Sequence, residues 1–125
     1  MSENELAKTV IGLCLKIHKE LGPGLLESIY EEVLCFELDV LGLKFTRQQG
    51  LVVKYQGLIM DLGFRADIIV EDKLILELKS VETIAPVHSK ILLSYLRLAN
   101  KKLGLLINFN VDLIKNGIKR IVNHL

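Results

Sequence analysis

Phe64-Arg65-Ala66-Asp67-Ile68-Ile69-Val70, then Glu71-Asp72-Lys73, then Leu74-Ile75-Leu76-Glu77-Leu78-Lys79: two apolar runs flank three polar residues. The runs read as a strand pair around the turn 71–73. Glu77 and Lys79 interrupt an otherwise core-like strand, and because they stand two residues apart they project from the same face. A three-residue turn sets Val70 against Leu74 and therefore Asp67 directly across from Glu77. A two-residue turn would send Asp67 to the opposite face, so the reading makes a definite demand on register.

Two carboxylates that meet across a hairpin repel unless a cation or a shared proton offsets them, and hard divalent ions take oxygen ligands of this kind. The expected site is therefore a Mg2+ or Mn2+ centre held by Asp67 and Glu77, with the Leu78 carbonyl as a further oxygen. Lys79, a compact charge, would orient a water or stabilise charge developing on a phosphoryl group. The competing interpretation is a salt-bridged polar face on an ordinary exposed strand, since an Asp followed at a distance by Glu-x-Lys also arises by chance.

Upstream, Ser2 and Glu5 form an S-x-x-E cap, and Leu6, Val10, Leu13, Cys14, Ile17 and Leu21 recur at helical spacing. Gly22-Pro23-Gly24 ends that helix, and Leu26, Ile29, Tyr30, Val33, Phe36 and Val40 resume the period until Gly42. From Lys44 the period becomes two, giving short strands at 45–48, 51–56 and 58–60 ahead of the pair at 64–70 and 74–81. Downstream, Pro86 opens a third helix carrying Val87, Ile91, Tyr95 and Leu98, which ends at Asn100. Leu103 to Phe109 is apolar enough for a strand buried on both faces, central or parallel in its sheet. The tail from Asp112 reads as a short strand or helix with a basic face, interrupted by Gly117.

The chain has 125 residues, half of them apolar and a quarter charged, which suits one domain over 1–125 able to bury its own core. Its net charge of +1 supplies no global field toward nucleic acid, so any such binding must use a local basic face. Cys14 and Cys35 sit in helical apolar patterns without ligand spacing and read as buried free thiols. With no apolar run of membrane-spanning length and no basic, then apolar, N-terminal stretch, a cytoplasmic location is expected.

Gly24-Leu25-Leu26-Glu27-Ser28-Ile29-Tyr30 fits G-x-x-E-x-x-Y. Together with Phe64-Arg65-Ala66-Asp67, Glu77-Leu78-Lys79 and Gly104-Leu105-Leu106-Ile107-Asn108-Phe109 it resembles the GxxExxY proteins, assigned to the PD-(D/E)XK nuclease superfamily. The resemblance covers nearly the whole chain. It implies an α/β fold with a restriction-endonuclease-like core, a mixed central sheet flanked by helices, to which the order read along the chain, roughly ααββββαβ, conforms. It also implies Asp67 and Glu77 as metal ligands, Lys79 as the catalytic lysine, and Glu27 as a helix-borne carboxylate completing the metal or water network. Glu27, Glu31 and Glu32 also fit the solvated face of the second helix. Tyr30 fits either a hydrogen bond in the site or a core position.

Arg65, His88 and Tyr95 are further candidates for substrate contact or support. Related nucleases often carry Q-x-x-x-Y on the helix after the lysine strand, whereas Ile91 stands at the glutamine position here. An apolar side chain cannot make the amide's hydrogen bonds. His88, one turn earlier, is a polar substitute or a capping residue. The expected activity is metal-dependent hydrolysis of nucleic acid, DNA preferred, with basic residues such as Arg47, Arg97, Lys119 and Arg120 available to phosphates. A homodimer is expected on separate grounds, because a small nuclease without an obvious DNA clamp gains contact area by pairing. The alternative is a nuclease-fold module that binds nucleic acid or protein without turnover.

Overall fold

The first helix begins where local chemistry supplies a cap. Ser2 Oγ accepts from the Glu5 N–H at 3.2 Å while Glu5 accepts from the Ser2 N–H at 3.0 Å, so α1 (Glu3–Leu21) starts at the S-x-x-E box. Its stripe of Leu6, Val10, Cys14 and Ile17 is buried. The second helix, α2 (Glu27–Val40), buries Tyr30, Leu34 and Leu38 at the same spacing of four. The computed structural model describes residues 1–125, apart from the side chain of Leu62.

The strands β1 (Phe45–Tyr55), β2 (Leu58–Val70), β3 (Leu74–Lys79), β4 (Leu103–Asn108) and β5 (Ile118–Val122) lie side by side in sequence order. All neighbours are antiparallel except β3 and β4, which are parallel and joined by the crossover helix α3 (Pro86–Ala99). Helices α1 and α2 cover one face, against Ile68, Val70, Leu74, Leu76, Leu78, Leu105 and Ile107. Helix α3 covers the other, packing Leu92 and Leu96 on Ala66, Ile69, Ile75 and Leu106. A side chain at Gly104 would come within 3.0 Å of Leu92, so glycine is what lets α3 sit close to β4.

This is the mixed, helix-flanked α/β sheet expected from the sequence, with differences in detail. The segments at 45–48 and 51–56 fuse into β1, and those at 58–60 and 64–70 fuse into β2, because Gly50 and the stretch around Gly63 remain in the ladder or bend it without ending it. The strand read to Val81 stops at Lys79. β4 is buried at all six positions and parallel to β3, as its apolar run indicates. The tail is a 3-10 turn (Ile114–Gly117) followed by β5, so three strands precede α3 and two follow it. Cys14 and Cys35 are buried free thiols, and burial pushes them up to about 12 and about 11. No helix is long and apolar enough to cross a membrane.

Candidate active site

The turn at Glu71-Asp72-Lys73 holds the hairpin in the register that a three-residue connection demands: Val70 pairs with Leu74, Ile69 with Ile75 and Ile68 with Leu76. Beyond Ile68 main-chain pairing gives out and side chains take over. Leu78 N–H donates to Asp67 Oδ2 at 2.8 Å, and Asp67 N–H donates to Glu77 Oε1 at 3.0 Å. The alternation of β2 slips at the same point, because Ala66 and Ile69 both lie under α3 while Ile68 faces the opposite core. Across from the slip, Gln48 in β1 has a left-handed backbone, φ 50°, and drops out of the Cα pairing between Arg47 and Gln49. The two strands open like a seam at Asp67, and the two carboxylates occupy the opening.

Burial lifts the Asp67 carboxyl above its ordinary range, and Glu31 nearby adds to the rise, while the Leu78 amide, Gln48 and Lys79 oppose it. Glu77 rises further, to about 8, from burial first and the Asp67 charge second, against the Asp67 amide and Lys79. The pair therefore retains a proton near neutrality.

A hard divalent cation fits this donor set. Each acid spends one oxygen on a main-chain amide and keeps the other, Asp67 Oδ1 being shared with Gln48 Nε2 at 3.3 Å. The N–H and C=O of one strand residue point to the same edge, so Leu78, whose amide turns toward Asp67, directs its carbonyl to that side as well. Among the described residues no group of three or more His, Cys, Asp or Glu side chains is placed to hold an ion. Two carboxylates and a carbonyl suit Mg2+, which commonly keeps several waters and is completed by substrate phosphate.

Lys79 lies at the end of β3, beside Glu77, and makes no ion pair within 4.0 Å among the described residues. Glu77 and Lys79 share a cavity of about 110 Å³ with His88, Ile91, Tyr95 and Leu106. The Tyr95 phenol is raised by burial and by Glu77 and Asp67, and its ring tilts against Phe64 at 6.3 Å. Arg65 is exposed and lies across Gly50, where a Cβ would stand 2.8 Å from its Nη1.

Two of the candidates stand elsewhere. Tyr30 is 0 % exposed, stacks on Phe109 at 4.3 Å, and spends its hydroxyl on the turn before α2, donating to Gly22 O at 2.6 Å and accepting from Leu25 N at 3.2 Å. It is a core residue, buried by the same spacing that buries Leu34 and Leu38. Glu27 accepts from Ser80 N–H at 3.2 Å, and among the described residues no hydrogen bond joins it to Asp67, Glu77 or Lys79. It ties the start of α2 to the residue after Lys79.

The carboxylate that α2 does bring toward Asp67 is Glu31. Gln48 Nε2 donates to Glu31 Oε1 at 2.8 Å as well as to Asp67 Oδ1 at 3.3 Å, so one amide spans both acids. Arg47 holds Glu31 and Glu32, each at 2.7 Å, which spends this arginine on the protein itself. The polar run Thr46-Arg47-Gln48-Gln49 within a strand was the available signal for this network. A second support is Asn108, 2 % exposed, whose amide donates to Val81 O at 2.9 Å and accepts from Val81 N at 3.1 Å, fixing the chain between Lys79 and α3.

No curated protein and no solved structure matches the chain. A family model does, over residues 4–121, a span that takes in the opened hairpin, the crossover helix and both covering helices. With the match extending over nearly the entire sequence, the chain belongs to the PD-(D/E)XK nuclease superfamily.

Proposed function

We propose that the protein is a nuclease that hydrolyses nucleic-acid phosphodiesters with a divalent cation, DNA being the preferred substrate. The observation that carries this reading is the meeting of Asp67 and Glu77 in a gap of the sheet, both raised in pKa, with Lys79 alongside. Asp67, Glu77 and the Leu78 carbonyl would hold Mg2+ or Mn2+. The ion, when bound, supplies acidity to water and offsets charge on the phosphate. The chain contributes the rest: Lys79 donates to a phosphoryl oxygen or to the attacking water, and Tyr95 closes the apolar side of the cleft. Hydrolysis joins the water oxygen to phosphorus, breaks one P–O ester bond and returns a proton to the departing oxygen.

Gly24, Glu27 and Tyr30 favour the GxxExxY branch of the superfamily, in which Glu27 would act through Ser80 on the position of Lys79. The test is cleavage of plasmid, single-stranded DNA and RNA by protein stripped with EDTA. Activity is expected on DNA only after Mg2+ or Mn2+ is returned, and absent throughout from Lys79→Ala. Undiminished cleavage by Lys79→Ala would reject the mechanism. Cation binding without turnover on any polymer favours the second reading, a binding module, for which Ile91 in the cavity wall is the specific observation.

A further inference from the structure

The first turn of α3 is closed by a histidine. Ala85 N–H donates to His88 Nδ1 at 3.2 Å, and His88 N–H donates to the Ala85 carbonyl at 3.0 Å. An imidazole nitrogen that accepts a hydrogen bond has its lone pair there, so the neutral ring carries its proton on Nε2. A helix cap thus fixes a tautomer.

The remaining nitrogen belongs to a side chain that lines the cavity of Glu77 and Lys79. Three α3 residues form that wall, His88, Ile91 and Tyr95, at successive helical turns. Ile91 has no polar atom, and Tyr95, its ring tilted against Phe64, offers an O–H. His88 is the side chain of this wall that offers an N–H, and it lines the same cavity as Lys79, after the loop pinned by Asn108.

We propose that His88 is a further catalytic residue, its Nε2–H donating a hydrogen bond to a non-bridging oxygen of the phosphate held beside Lys79. This rests on the nuclease reading for its substrate, but not for the tautomer or the contact. Capping and catalysis use opposite nitrogens of one ring, so substitutions separate them. Glutamine or glutamate at the third helical position can each accept the cap bond. Only glutamine also offers an N–H.

The experiment measures kcat, KM and Tm for His88→Gln, His88→Glu and His88→Ala. His88→Gln is expected to recover most of the cleavage, and His88→Glu to lose about 100-fold in kcat at unchanged Tm. If the ring only caps the helix, His88→Glu cleaves as well as His88→Gln, and the inference falls while the nuclease reading stands. A second readout is independent of turnover: nitrogen-15 NMR of the wild-type histidines, with and without a thymidine dinucleotide and Mg2+. A proton on Nε2 whose signal moves with the dinucleotide supports the contact even if no polymer is cut, in which case the nuclease reading alone fails. A proton on Nδ1, or an unmoved signal, overturns the inference.

Discussion

The two ends of the β2–β3 hairpin share strands and composition but are built on different principles. Near the turn, Ile68, Ile69, Val70, Leu74, Ile75 and Leu76 pair main chain to main chain and fill a core on each face, all at most 2 % exposed. At the next residue of each strand the ladder is replaced by bonds that main-chain amides donate to carboxylates, and acids stand where a core would be expected. The dry end sets the register, and the register decides that the acids meet. One half is optimised for stability and the other is held in an arrangement that stability alone would not select.

The sharpest way to break this contrast is at the open end. Asp67→Asn keeps an acceptor for the Leu78 amide and removes the charge, so cleavage should fall about 1,000-fold with Tm moved by no more than about 2 °C. A large loss of Tm would mean that Asp67 is structural. The converse is Leu76→Ala at the closed end, which opens a cavity and should cost about 3 kcal/mol in urea melts while kcat of the remaining folded protein stays near wild type. Equal damage to both properties would show that the halves are not separable.

The third prediction concerns pH. Glu77 has a folded-state pKa above its unfolded value, so its contribution to stability is complete below about 4.5 and is lost as pH rises through about 8. Asp67 acts in the same direction. Without a cation, Glu77→Gln should therefore stabilise the protein at pH 9 by about 2 kcal/mol and do little at pH 4, and with Mg2+ returned it should show no cleavage. A variant with the same pH dependence as wild type would count against a strained pair. The smallest effect is expected from Gln48→Ala, which removes the amide between Asp67 and Glu31 and should cost about 1 kcal/mol, with a several-fold change in Mn2+ affinity by calorimetry. No change in either quantity would make the bridge incidental.

What could be read from sequence and what could not divide along the same line. Local signals carried the hairpin: the three residues 71–73 forced Val70 onto Leu74, and from that the approach of Asp67 to Glu77 followed by counting. The apolar run from Leu103 announced a strand buried on both faces. On α3 the spacing of Val87, Ile91, Tyr95 and Leu98 misled: Val87, Ile91 and Leu98 are exposed, and the helix packs on the sheet through Leu92 and Leu96, while Ile91 and Tyr95 line the cleft. Contacts between segments distant in the chain escaped. Glu31, Gln48 and Arg47 meet only after β1 folds against α2, and no periodicity marks such a meeting. Tyr30 was ambiguous because its spacing fits either use, and only the bonds of its hydroxyl decide between them. Glu27 lies on the same helix as Glu31 but one turn toward the loop, which is enough to send it to Ser80.

Asn108 carries one more consequence. By giving Val81 both an acceptor and a donor, its side chain imitates the backbone of a neighbouring strand, so the chain leaves the sheet with the N–H and C=O of Val81 both paired. A single amide thereby acts as a splint that sets the exit direction from β3, and with it the span across the cleft to α3. Asn108→Asp keeps the shape but turns the donor into a second acceptor facing the Val81 carbonyl. The width of the cleft is in this sense inherited from one side chain on the far strand, and the connector from 80 to 85 could change its residues more freely than its length.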